Sequence, residues 1–441
     1  MWANPTGSAA WVVTAGSDLD TPWVMTPAEL LNDRLRSVHP AAAACLSSVG
    51  KRMFFPKGIP AQATEARSAD INATIGQLTD GAGGALPLAS LSQHLQGLDL
   101  RDVFLYTPQG GQRPLRAAWG ARLTRPGDAP ITSPFVTVGL THGLSLVGDL
   151  FADEDTDVLL PDPGWGNYDL IFGARRGARI VRYPVFQDGR FSSEAMAKAL
   201  AQVRTKAVVV LNFPGNPTGY TPSEAELRPW LDAIAATDKP LVVVSDDAYA
   251  GFVYEPGRLS RSPFHEVATM DPERILAVKV DGATKELVFF GARVGFMTFA
   301  AEGEAAAILE EKLKGAARSS VSTAPAVSQA MVTAALADPG LESQRQALLS
   351  EVAGRYRTLK QALADAHLPS VPFNSGFFAM VHTPGDPEDL RQRLLSAGVG
   401  VISLQRYGAI RIAYSSTTEA DLPRLVHAIT LAIEAKAKVA P

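Results

Sequence analysis

In the run "RILAVKVDGATKELVFFGARVG", Lys285 follows an apolar stretch and stands eight residues before Arg293. A lysine whose amine is partly deprotonated can form a Schiff base with a carbonyl compound. An arginine nearby suits a phosphate, which the planar guanidinium grips through a two-pronged fork. Two further apolar runs also end in polar groups: "KPLVVVSDDAY" in Asp246 and Tyr249, and "KAVVVLNFPGNPTGY" in Asn216. The run ends thus collect an amine, a carboxylate, a phenol and an amide.

These groups can act together only if the runs are neighbouring strands that end on one side. The pattern favours that arrangement. Short apolar runs recur at "PFVTVG", "TDVLLPDP", "ARIVRYPV", "KAVVVLNFP", "KPLVVVSDDAY", "RILAVKVDG" and "VGFMTFA". Helical stretches such as "SEAMAKALAQV" and "SEAELRPWLDAIAAT" separate several of them. Buried strands alternating with helices predict a largely parallel α/β sheet, whose ligands bind beyond the carboxyl ends of the strands. From about Glu302 the chain turns helical. Beyond Pro369, "GFFAMVHT" and "GAIRIAYS" read as strands, each followed by a helix, in a smaller α/β unit. Residues 1–70 read as irregular, with many turn signals. The tetrapeptide Asn-Pro-Thr-Gly occurs both at Asn4 and at Asn216. Asn4 has no strand before it and reads as a loosely held terminal turn, whereas Asn216 follows a buried strand. An aldehyde and a phosphate on one molecule, with a carboxylate to keep a ring nitrogen protonated, describe pyridoxal phosphate.

Composition narrows the class. The 441 residues are 46% apolar and 20% charged, with a net charge of −4. There is no basic footprint for nucleic acid or an acidic membrane surface. Cys45 is the sole cysteine, so neither an intrachain disulfide nor a CxxC zinc site is available. The histidines show no metal spacing. The opening residues make a poor signal peptide, and no apolar run reaches the roughly 18 residues of a membrane span. A cytoplasmic protein that handles small molecules is expected.

The chain resembles the fold type I pyridoxal-phosphate aminotransferases of class I/II from about Ile71 to Ser415. The resemblance rests on "NPTG" at Asn216, "DDAY" at Asp246 and Tyr249, "TKxxxxxGxRxG" from Thr284 to Gly295, "DPGWGNY" around Trp165 and "IRIAY" around Arg411. It implies that Lys285 carries the cofactor and acts as general base, and that Asp246 pairs with the pyridinium nitrogen. Asn216 and Tyr249 would hydrogen-bond the ring's phenolate oxygen, and Trp165 would stack on the ring. Backbone N–H groups of Gly139, Leu140 and Thr141, with Arg293, would bind the phosphate. Arg411 would grip the substrate α-carboxylate, near Gly76, with Asn216 beside it. Tyr106 would reach the phosphate of a neighbouring subunit, and Arg318 a distal substrate carboxylate across the same interface.

Three positions depart from the family pattern. Gly282 stands where a serine often offers the phosphate a hydroxyl, and Thr284 is the candidate to replace it. Tyr168 and Leu211 occupy places where aspartate aminotransferases commonly have histidines. Asp247, beside Asp246, reads as a solvated neighbour.

The implied fold is a large domain with a mostly parallel mixed sheet flanked by helices, plus a smaller α/β domain. Residues 1–75 would form an N-terminal extension and arm packing on the small domain, 76–330 the large cofactor domain and 331–441 the small one. The implied activity is that of a transaminase acting between an L-amino acid and a 2-oxo acid in amino acid metabolism or biosynthesis. Pyridoxal 5'-phosphate would be the cofactor, in a homodimer with sites at the subunit interface. A lyase or decarboxylase on the same scaffold stays open, because those reactions use the same residues. A non-enzymatic regulator would need an N-terminal winged-helix domain, which residues 1–70 do not suggest.

Overall fold

The computed structural model describes residues 25–56 and 58–437. Seven strands form the main sheet: β1 (Phe135–Val138), β2 (Thr156–Asp162), β3 (Arg179–Pro184), β4 (Lys206–Leu211), β5 (Leu241–Asp246), β6 (Ile275–Asp281) and β7 (Val294–Phe299). Their order across the sheet is β1-β7-β6-β5-β4-β2-β3. Only β7 runs antiparallel to its neighbours. The fold class is therefore α/β with a mostly parallel mixed sheet, as the alternating runs predicted.

Side chains of successive strand residues point to opposite faces, and here both faces are covered. Val208 and Val210 of β4 join Val244 of β5 against helix α1 (Gly139–Phe151), with Leu144 and Val147. Val209, Leu211 and Val243 pack on the other face against helix α2 (Glu224–Ala236), with Trp230 and Leu231. Two-sided burial is why these strands read as unbroken apolar runs. A capping box between Ser223 and Glu226 fixes the start of α2.

Register decides what the strand ends bring together. Leu211 lies beside Ser245, and Asp246 beside Val280. Lys279 is therefore next to Ser245, one residue short of Asp246. Val138 pairs with Val294, which sets the start of α1 beside Arg293.

Downstream come α3 (Gly303–Ser320), α4 (Ala326–Ala337) and the long α5 (Leu341–Asp365). A second sheet holds β8 (Phe378–His382), β9 (Ile402–Leu404) and β10 (Ala409–Ala413) in the antiparallel order β8-β10-β9. Helices α6 (Pro387–Ser396) and α7 (Asp421–Ala437) accompany it. The three-residue β9 was not apparent from the sequence.

The expectation of irregular structure before residue 70 is overturned for the described part. Helices span Pro27–Val38, Pro40–Ala44, Ser48–Arg52 and Ile59–Glu65. Pro27, Pro40 and Pro60 sit in the first turn of their helices, where the missing N–H breaks no intrahelical bond. Pro40 and Pro60, read as turn signals, are helix starts. Ile71 and Asn72 then pair in parallel with Val399 and Gly400, while Arg52 donates to the Ala174 carbonyl at 2.7 Å. Asn4 lies outside the described residues. Among the described residues, no helix is long and apolar enough to cross a membrane.

Candidate active site

A cleft opens beyond the carboxyl ends of β4, β5 and β6, on the α1 face of the sheet. Nine of the site residues predicted from the sequence line it: Leu140, Thr141, Trp165, Asn216, Asp246, Tyr249, Thr284, Lys285 and Arg293. Leu144, Tyr168, Asn212 and Ala248 line it too. Asp246 shares the face of Val244, so strand alternation aims it into the cleft. Lys285 sits on the single turn Ala283–Glu286, just after β6.

Asp246 is almost fully buried, at 3% exposure. The Tyr168 hydroxyl donates to its Oδ2 at 2.5 Å, and the Ala248 N–H to Oδ1 at 3.2 Å. Burial pushes this carboxyl up to about 6, against the Tyr168 hydrogen bond and the Lys285 charge, with Asp247 adding to the rise. Tyr168, like Asn212, is a site residue whose part the sequence did not disclose. Its place was legible as a departure from histidine, but the contact depends on how the segment after β2 folds back.

Lys285 is held in the opposite sense. Burial lowers its amine below the ordinary lysine value and Arg293 adds to the depression, while Asp246 opposes it. The amine lies 5.1 Å from the centre of the Tyr249 ring. Tyr249 itself packs edge-on against Phe377 and Phe378. An amine held below its ordinary value beside a buried carboxylate is shifted toward the ionisation a Schiff-base lysine needs.

Asn212 knits the strand ends together. Its amide donates to the Asp246 carbonyl at 2.9 Å and accepts from the Asn216 N–H at 2.9 Å. Asn216 in turn accepts from Arg411 Nη1 at 3.4 Å. Arg411, on β10, donates to the Thr74 carbonyl at 2.9 Å and lies 4.2 Å over the Phe378 ring. Its Nε is buried without a hydrogen-bond partner. Burial brings its guanidinium down to about 10, opposed by Tyr249. An arginine with a spare buried donor at the edge of a cleft is equipped for a carboxylate. Gly76 is needed for space, because a Cβ there would sit 2.4 Å from Phe378 Cζ.

At the other end, Gly139 has φ +71°, and a Cβ on it would lie 2.5 Å from Arg293 Nη2. The start of α1 and the guanidinium thus meet in a cradle that a side chain would fill. Helix N-termini with free N–H groups favour phosphates. No serine fits at 282: a Cβ there would meet Val294 O at 2.6 Å and Gly295 Cα at 2.7 Å. Thr284 Oγ1 points to the same Val294 carbonyl, at 3.3 Å.

Five predicted residues are not among those lining this cleft: Gly76, Gly139 and Arg411, placed above, and Tyr106 and Arg318. Tyr106 is 92% exposed. Arg318 is exposed on α3, where Nη1 donates to the Gln109 side-chain oxygen at 3.2 Å once that amide is oriented to suit both neighbours. Asp247 is a correction. It is 3% exposed, not solvated, and pairs with the buried Lys279. Lys279 lies on the face of β6 opposite the cleft, a position that only the strand register discloses.

The cleft thus joins a depressed lysine, a raised carboxyl and a phosphate-ready helix start beside an aromatic wall. These residues fit pyridoxal phosphate: the Gly139–Arg293 cradle leaves room that a side chain would fill, and burial shifts Asp246 up and Lys285 down.

A family model for aminotransferase class I and II matches residues 69–429. A probable N-succinyldiaminopimelate aminotransferase of Mycobacterium tuberculosis is 32% identical over 159 residues, covering 35% of this chain and 39% of that protein. An aspartate aminotransferase of Bacillus subtilis is 26% identical over 228 residues, covering 49% of this chain and 55% of its own length. The matched stretches therefore span about two fifths to just over half of these curated relatives. A solved aminotransferase of Anaerococcus prevotii superposes with a TM-score of 0.78 at 22% identity, over 87% of this chain and 98% of that one. Thermus thermophilus aspartate aminotransferase, solved with maleate, gives 0.70 at 20% identity, over 88% and 99%. At such identities the structural likeness establishes the fold.

Proposed function

The chain belongs to the class I and II aminotransferase family, and from that premise we propose that it moves an amino group between an L-amino acid and a 2-oxo acid with pyridoxal 5'-phosphate. One observation carries the reading furthest. The depressed Lys285 amine and the raised Asp246 carboxyl face one cleft, whose far end is the Gly139–Arg293 cradle.

The chain's own groups divide the work. Arg293 and the N–H groups of Gly139, Leu140 and Thr141 would hold the phosphate, with Trp165 covering the ring. Asp246 would keep a proton on the ring nitrogen, held for that task by Tyr168 and the Ala248 N–H. Asn216 and Tyr249 would donate hydrogen bonds to the ring's phenolate oxygen. Arg411 would grip the substrate carboxylate and so fix which face of the α-carbon meets Lys285. Bound there, the cofactor supplies an electron sink for the bond broken at the substrate α-carbon. Lys285 would take the α-proton on Nζ and hold it for return.

The division into an arm over 1–75, a large domain over 76–330 and a small domain over 331–441 belongs to the same proposal. The separate seven- and three-stranded sheets support it. A homodimer is also proposed. Leu100, Phe104, Leu105 and Tyr106 present exposed apolar side chains along one short segment, a surface that a second copy would cover. Tyr106 and Arg318 would then serve the neighbouring subunit's site. A cytoplasmic place in amino acid biosynthesis completes the reading.

The test is transfer of label. Protein loaded with pyridoxal phosphate is given a panel of 15N-labelled L-amino acids, each with a 2-oxo acid. Label appearing in the amino acid made from the oxo acid supports the proposal. Release of the label as free ammonia with every donor would make the enzyme a lyase instead.

A further inference from the structure

The residues that follow Asp246 and Lys285 in the chain, Asp247 and Glu286, are both anchored in one charged network on the side of the sheet away from the cleft. Asp247 pairs with Lys279. Lys279 Nζ also lies 3.4 Å from Asp281 Oδ2. Burial alone would lower the Lys279 amine, but the two carboxylates outweigh it and hold the amine above its ordinary value. The Trp119 indole N–H lies 3.2 Å from both Asp281 oxygens. Arg122 stacks its guanidinium 5.1 Å over the Trp119 ring and pairs with Glu286. Glu286 also receives Arg345 Nη2 at 3.0 Å, from α5.

We propose that Glu286 is a positioning residue for Lys285, and that the network holds the lysine turn against both the sheet and α5. The inference rests on the proposed function of the cleft. Lys285 has only a single helical turn beneath it, and Val288 just beyond has φ +47°, a strained value for a β-branched residue. That turn has little rigidity of its own. Glu286 supplies it from behind, with one carboxylate shared between cations on two different elements. Neither cation reaches the cleft. Their effect on Lys285 is on its placement and on the local field. Because α5 lies within residues 331–441, the Arg345 contact also ties the lysine turn to the smaller unit of the molecule.

The test is Glu286→Gln, in protein loaded with pyridoxal phosphate. Glutamine keeps the shape but gives up the charge. The amine should be placed less accurately, and kcat should fall about tenfold with KM for the amino donor little changed, since misplacement by a fraction of an ångström is enough for such a loss. Removing a negative charge also disfavours a proton on the lysine nitrogen. The pH midpoint of the lysine–cofactor absorbance should therefore move down, a shift that a merely structural residue would not produce. Arg345→Gln should also lower kcat, but it removes a positive charge and so should move the midpoint up, and the double variant should lose less kcat than the sum of the singles. If E286Q does not fold, R345Q carries the test through the same absorbance midpoint. Variants with wild-type kcat and midpoint, in a wild type that transaminates, overturn the inference and leave the function standing. A wild type that never takes up the cofactor overturns both.

Discussion

The hydroxyl of Tyr168 stands 2.5 Å from Oδ2 of Asp246, at the closed back of the cleft. The bond favours the ionised carboxylate, because a donor stabilises the charge. It works against burial, which has pushed that carboxyl up to about 6.

Tyr168→Phe removes the donor and leaves the ring packing. The Asp246 carboxyl should then rise further, and less of it should be ionised at neutral pH. Affinity for pyridoxal phosphate should fall about tenfold, the worth of one hydrogen bond to a charged group. The loss should be larger at pH 6 than at pH 8, as absorbance titrations would measure. Equal losses at both values would argue against this role.

Asp246→Asn separates stability from function. A carboxyl whose pKa is raised in the fold contributes stability below its unfolded value of 3.8, and that contribution is lost as pH rises through about 6. Cofactor-free protein therefore carries an unfavourable buried charge at pH 8. The asparagine variant should be more stable there by roughly 1–3 kcal/mol, with the advantage vanishing near pH 4. Urea unfolding at the two pH values checks this. Cofactor affinity should nonetheless collapse. A variant less stable than wild type at pH 8 would contradict the burial argument.

Gly282→Ser supplies the hydroxyl that the family resemblance led one to expect at this position, yet it should not help. The new Cβ would meet Val294 O at 2.6 Å and Gly295 Cα at 2.7 Å, both backbone atoms. Overpacking of that kind costs about 1–3 kcal/mol. A lower melting temperature with no gain in cofactor affinity is expected. Tighter binding at unchanged stability would mean that the turn yields easily.

Arg411→Lys keeps the charge but loses the fork and the contact across Phe378. KM for the amino donor should rise at least about tenfold, and cofactor affinity should hardly change. Steady-state kinetics beside an absorbance titration separates the two effects. A loss confined to cofactor binding would place Arg411 elsewhere in the mechanism.

Much of this is legible in the sequence. Strands buried on both faces must be apolar throughout, so β4, β5 and β6 announced themselves, and with them the polar groups at their ends. What stayed hidden depended on register or on long-range packing. Asp247 looks like an ordinary acidic neighbour until β6 is laid beside β5 and Lys279 is found next to Ser245. Tyr168 is an aromatic residue in a loop until the chain brings it under Asp246. The prolines before residue 70 carry a double meaning, since a residue that breaks a helix interior also opens a first turn. Strand β9 has three residues, too few to show a period.

The most direct measurement is to load the protein with pyridoxal phosphate, reduce it with borohydride and locate the adduct by peptide mass spectrometry. A single modified site at Lys285, absent from Lys285→Ala, is the predicted result. An adduct on another lysine, or none at all in protein that has bound the cofactor, would contradict the assignment of this cleft.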